Sequence, residues 1–444
     1  MQDSLNVAAA AVSAEPTPRH SMTSTSSAPD STPRYRFRSY RLAAGKMEKP
    51  WLEDKRIKKT RINNIIVLTL VFLGFAAAGV LVYFLSKPYV QGDYCLVYED
   101  NFKTLDKSVW THEVQLDGFG NGAFDWTTTD EKNSYVDAEG LHIVPTLTNQ
   151  TTSITSDQLY ANYTLDLTKD GSCTSKANSS CVVTSDPVKG KMIPPVRSAR
   201  LSTKGRKSIR YGRVEVVAKM PKGDWLWPAI WMMPENDTYG VWPRSGEIDI
   251  AESRGNGRDY PEGGRNWYYG TLHWGPTHAS DAYWKTSNAN KIRRGTFADG
   301  FHTYGMQWTP DYIYFYIDSR VHQIEFIGFD KHKPLYDLGN FAKQTDENNT
   351  LLDNPWAKST STTGNAPFDQ KFYLILNLAV GGTNGWFKDK VGDKPWIDDA
   401  QNAQWTFWNA AKSWLPTWGE PNERGMTVKS VKMWQAGACG SPEL

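Results

Sequence analysis

Three carboxylates crowd the stretch Ser245-Gly-Glu-Ile-Asp-Ile-Ala-Glu-Ser-Arg254: Glu247, Asp249 and Glu252. The apolar residues between them suit a β-strand. Side chains two apart on a strand share a face, so Glu247 and Asp249 project together. Glu252 lies five positions beyond Glu247 and would point to the opposite face of a regular strand. One extra residue, absorbed as a β-bulge around Ile250 and Ala251, returns it to the same face. The spacing therefore predicts a bulge. Three carboxylates on one face repel each other, so at least one pKa rises and supplies an acid near neutrality. Retaining glycoside hydrolysis uses such a pair of states, one carboxylate ionised to attack the anomeric carbon and one protonated, about 5–5.5 Å apart. For the bare ExDxxE pattern alone, a solvated acidic strand face is the commoner explanation. The surroundings must decide.

Those surroundings read as β-structure. In residues 211–220, Val214, Val216 and Ala218 fall on one face, with Arg213, Glu215 and Lys219 on the other. Residues 301–308 and 312–318 form a hairpin pattern around Pro310 and Asp311. Residues 371–380 read as a buried strand and 426–435 as a closing one, with one helical pattern from Ala400 to Trp414. The expected class is all-β, a sandwich or jelly roll whose long loops build a binding cleft. All but one of the 19 Trp lie after residue 100; such rings fill cores and also stack on sugars.

The rest of the chain bears on where that domain works. Ile65 to Leu85 is 21 residues without a charge, the length an α-helix needs to cross a bilayer. Lys46, Lys49, Lys55, Arg56, Lys58, Lys59 and Arg61 precede it, and only Lys87 follows closely. The positive-inside tendency makes it a signal anchor with a cytosolic N-terminus, a type II arrangement that exports the rest. The expected parts are a disordered Ser/Thr/Pro-rich tail (1–62), the anchor (63–86) and a lumenal or extracellular catalytic domain (87–444). Sequons at Asn149, Asn162, Asn178, Asn236 and Asn348 all fall in the exported part. So do the four cysteines, which lack metal-ligand spacing. Of three connectivities, the preferred one joins Cys173 to Cys181 and Cys95 to Cys439. With 50 basic against 48 acidic residues, nothing points to nucleic acid. No GxSxG elbow, P-loop, dinucleotide fingerprint or HExxH is present.

The acids are flanked by Lys222-Gly-Asp-Trp-Leu-Trp-Pro-Ala-Ile-Trp-Met-Met-Pro234, Val241-Trp-Pro-Arg-Ser245, Tyr269-Gly-Thr-Leu-His-Trp-Gly-Pro276 and Leu374-Ile-Leu-Asn-Leu-Ala-Val-Gly-Gly382. With the GNGAFDWTT segment at 120–128, this resembles glycoside hydrolase family sixteen, in its eukaryotic laminarinase-like branch, from about Tyr94 to Gln435. The resemblance implies a β-jelly roll with a cleft across its concave face. It makes Glu247 the nucleophile, Glu252 the general acid/base and Asp249 the group that holds and tunes Glu247. It implies a retaining endo-β-1,3(4)-glucanase acting on β-glucan at a membrane. A transglycosylase with the same acids and a non-catalytic glucan receptor stand as alternatives. It also places substrate contacts at Trp242, Trp231, His273, Asn121, Trp126 and Arg244. Trp231 has a core alternative, His273 a structural one, and Arg244 that of a plain surface residue. Relatives often bind a structural calcium through an Asp near the C-terminus. Lys429 stands there instead, which opposes a cation, and the chemistry itself requires no metal.

Overall fold

In the computed structural model, residues 48–86 and 92–440 are described; the expected N-terminal tail lies largely outside them. The chain divides into two units at Val90/Gln91. The first is built on helix α1, Lys55–Ser86. It begins at Lys55 rather than at residue 63, because Asp54 accepts the Arg56 N–H at 2.8 Å and caps the basic turn. Lys55–Phe84 is long and apolar enough to cross a membrane. The consecutive residues Ile65, Ile66, Val67 and Leu68 are all exposed, as on a helix apolar on every face.

The second unit holds two eight-stranded sheets. The outer one orders Ser319–Gly328, Tyr312–Ile317, His302–Trp308, Gly212–Lys219, Met426–Ala436, Gly140–Ile143 and Ser134–Asp137, with Tyr94–Asp100 paired to Met426–Ala436. The expected hairpin is present, Trp308 facing Ile313. The inner sheet orders Ser287–Lys291, Trp267–His273 (β5), Glu247–Ser253 (β4), Leu226–Pro234 (β3), Phe372–Val380 (β6), Arg200–Ser202 (β2) and Thr111–His112, with Ser208–Ile209 also paired to β6. A short strand, Asp125–Thr127 (β1), pairs in parallel with Val196–Ser198.

Alternation explains the layers. Val214, Val216 and Ala218 of the outer sheet meet Ile230, Met232, Leu374 and Leu376 of the inner sheet in one core. The opposite faces of β3 and β6 present Ala229, Trp231, Tyr373 and Ile375, which form a separate cluster. The helical pattern at 400–414 splits into Ala403–Asn409 and Ala411–Trp414.

Both expected disulfides are present, Cys95–Cys439 and Cys173–Cys181. The first spans 344 positions and staples the first outer strand beside the last. Constraining so long a loop of the unfolded chain is worth about 2–4 kcal/mol. Cys95→Ala is therefore expected to lower the stability to urea by that amount without changing the far-UV spectrum.

Candidate active site

The predicted bulge sits in β4. Against β3, Glu252 faces Ala229, Ala251 faces Ile230 and Asp249 faces Trp231, so Ile250 has no counterpart. Against β5 the same region is irregular: Asp249 faces Thr271 and Glu252 faces Tyr269. Ile250 and Ala251 both turn into the core with Ile248. Glu247, Asp249 and Glu252 then line one cavity.

Each acid has its own partner. Trp242 donates its indole N–H to Glu247 Oε2 at 2.6 Å. Trp227 donates to Glu252 Oε1 at 2.9 Å. Trp227 in turn stacks on Trp386 at 5.1 Å, and the Arg254 guanidinium lies 3.9 Å from the Trp386 ring centre. Asp249 faces His273, whose Nε2 is 3.2 Å from Oδ2, an ion pair without a well-aligned hydrogen bond. His273 Nδ1 lies 2.6 Å from Asp281 Oδ2, and Tyr283 stacks on the ring.

Electrostatics follows from this packing. Burial alone would lower the His273 pKa, but its contacts with Asp249 and Asp281 outweigh that and hold it well above the usual imidazole range. Both ring nitrogens then carry protons. Burial raises Glu247, and repulsion from Asp249 raises it further. Burial, then the charge of Glu252, raises Asp249, while His273 opposes the shift. The contact between the two carboxyls raises Glu247 and lowers Asp249, so it favours the proton on Glu247. Burial also lifts Glu252 to about 6, against the pull of His273 and the Trp227 N–H. One atom each of Glu247, Asp249 and His273 lie within 4.8 Å of one another, a spacing that suits a cation. An imidazole must be neutral to ligate a metal, so a cation there would have to displace a proton from His273.

A prediction arises from the Trp227 bond. Trp227→Phe keeps an aromatic ring against Trp386 but removes the donor that favours ionised Glu252. The Glu252 pKa should rise. Any activity that needs Glu252 protonated falls as pH passes that pKa, so the alkaline limb of kcat/KM is expected to move upward from about 6. A pH–rate profile of the two proteins checks this.

The sequence-derived contacts divide. Asn121 lines the cavity and Asn384 donates to its side chain at 3.3 Å. Trp231 also lines it, its N–H on Asn377 at 2.7 Å, though the Arg200 guanidinium covers its ring at 4.7 Å. Trp242 and His273 stand beside the acids. Two others lie outside this cavity. Trp126 is the middle residue of β1, so alternation sends Asp125 and Thr127 to the cavity. Trp126 packs instead against the clusters of Leu159 and Leu167, with the Arg197 guanidinium 4.9 Å from its ring centre. Arg244 is taken up by Pro276 O at 2.6 Å and Asp353 at 3.1 Å, and works as a loop tie.

Other lining residues went unnoticed in the sequence: Phe119, Asp125, Arg200, Trp227 and Asn377. Arg200 lies between the rings of Phe119 (4.1 Å) and Trp231, with its Nε on Glu113. Asn377 carried a signal, as a lone amide in the apolar run of β6 must find a partner when buried. Trp227 did too, being on the same face of β3 as Trp231. Burial also raises Asp125, to about 7, with Arg200 working weakly against the shift.

A bulged strand that sets three acids in one cavity on a two-sheet β-fold defines the carbohydrate-active class. Comparison with known proteins narrows it. The family model for glycosyl hydrolases family 16 matches residues 121–326. The beta-1,3-glucan-binding protein of Penaeus monodon is 40% identical over 350 residues, covering 77% of this chain and 90% of that protein. The glucan endo-1,3-beta-glucosidase A1 of Niallia circulans is 30% identical over 302 residues, covering 65% of this chain and 34% of that protein. Among solved structures, the laminarinase catalytic domain of Thermotoga maritima is 22% identical, with 78% of this chain and 100% of that one covered and a TM-score of 0.46. This chain belongs to glycosyl hydrolases family 16.

Proposed function

We propose that this protein is a retaining endo-β-1,3(4)-glucanase, held at a membrane by α1 with its catalytic unit on the lumenal or extracellular side. The observation that carries the reading is the bulge at Ile250, which brings Glu252 back beside Glu247 and Asp249. In the first step Glu252 gives its proton to the glycosidic oxygen as ionised Glu247 attacks the anomeric carbon. The glycosidic bond breaks and a glycosyl ester forms on Glu247. Glu252, now ionised, takes a proton from water, which attacks the same carbon and frees Glu247. Glu247 must be ionised to attack, and the charge of His273 and the Trp242 N–H both favour that form.

A second reading, a non-hydrolysing glucan binder, is favoured by one finding: the Penaeus monodon relative is named for binding, not cleavage. Incubation with laminarin separates the two. Release of reducing ends supports the enzyme, and binding without release overturns it. Products longer than an added laminari-oligosaccharide would instead mark a transglycosylase. The sequons fit an exported domain in that Asn178, Asn236 and Asn348 are exposed. Asn149 is half-buried and donates to Ser156 at 2.9 Å, so it is the least accessible.

A further inference from the structure

We propose that Asp125 is a glucan-binding residue of the cleft, its free carboxylate oxygen accepting hydrogen bonds from the hydroxyl groups of a glucosyl ring. The inference rests on the cleft being the glucan site. It starts from a mismatch between the group and its surroundings. Asp125 is 4% exposed. Its Oδ1 accepts the Val380 N–H at 2.9 Å. No side-chain hydrogen bond reaches Oδ2 among the described residues, yet Oδ2 is not one of the sealed unpartnered atoms. It therefore opens on the cavity that Asp125 lines with the three acids.

No cation makes an ion pair with it either, Arg200 acting on it only weakly. Arg200, the lining residue able to do so, spends its Nε on Glu113 and its faces on Phe119 and Trp231. A buried carboxylate with half its acceptor capacity unused is unfavourable unless a ligand completes it. The ligand must bring donors and must fit between the aromatic residues Trp227 and Trp231 without a negative charge of its own. A neutral polyhydroxyl chain meets both conditions. Sulfated or uronate-bearing polymers do not, since their anions would meet Asp125 beside the acid cluster. Asp125 thus selects for uncharged glucan as well as holding it.

An amide separates the two duties of the side chain. In Asp125→Asn, one oxygen still accepts from Val380, while the cavity side changes from acceptor to donor. Asp125→Ala loses both. Each is made in the full chain in detergent on a Glu252→Gln background, which prevents turnover, and titrated calorimetrically with laminarihexaose. Asp125→Asn is expected to melt no lower than the parent and to weaken binding by about 10- to 100-fold, the loss of a hydrogen bond to a charged group. Asp125→Ala is expected to weaken binding as much and to melt lower. Unchanged affinity in Asp125→Asn overturns the proposal, as does a loss that merely follows a drop in melting temperature. Failure of the Glu252→Gln parent itself to bind would sink the glucan reading of the whole cleft, and this role with it.

Discussion

Glu247→Gln is expected to reduce laminarin hydrolysis by about 10⁴-fold or more while the protein becomes more stable at neutral pH. The amide cannot form the glycosyl ester, and losing one member of a catalytic unit removes most of what the unit contributes. Stability moves the other way because Glu247 is a buried acid whose pKa is raised by burial and by Asp249. An acid with a raised folded-state pKa favours the unfolded chain at every pH above its unfolded value near 4. The amide removes that penalty. The gain in melting temperature should be present at pH 7 and vanish below about pH 4. Reducing-end assays and thermal melts across pH measure both. Full activity in the Glu247→Gln variant would end the nucleophile assignment, and inactivity both before and after the substitution would belong to the binding reading.

Glu252→Ala should lower turnover of laminarin by about 10²–10⁴-fold, the usual worth of a general acid. Its diagnostic lies in rescue. An aryl β-glucoside or laminaribioside with a good leaving group needs little protonation, so the glycosyl ester on Glu247 should still form. Water then attacks slowly, lacking a base. Azide needs none, and should take the sugar from Glu247 with release of the carboxylate, giving a β-glycosyl azide. The same product from Glu247→Ala, or no rescue at either position, would mean that the roles of the two acids are wrong. Burial also lifts Glu252, so Glu252→Ala removes a charge penalty, but it opens a cavity and leaves the Trp227 N–H without its acceptor, and no net gain in stability is expected.

How far the sequence could lead depended on the range of the interaction. The bulge was legible because an i to i+5 spacing and a period of two leave only one way to align the acids. The inner faces of Gly212–Lys219 and of β6 were legible for the same local reason. That Trp126 falls outside the cavity was not legible, because motif matching gives a segment, whereas the side a residue faces depends on the register of β1 beside Val196–Ser198. Arg244 sits three residues before Glu247, but its partners Pro276 and Asp353 arrive from distant loops. Asp125 was silent for a related cause. What marks it is an unfilled acceptor, and that is visible only once Val380, 255 residues away, is seen to fill the other. The helix start at Lys55 turned on the Asp54 cap, a feature a hydropathy reading passes over.

The Cys95–Cys439 bond has a further consequence for a domain attached through its N-terminal side. A protease that cuts once in any surface loop between these cysteines severs the backbone but not the molecule. Both fragments remain covalently joined at the strand pair Tyr94–Asp100 and Met426–Ala436. Nicked protein should then run as one band on a denaturing gel without reductant and as two with it.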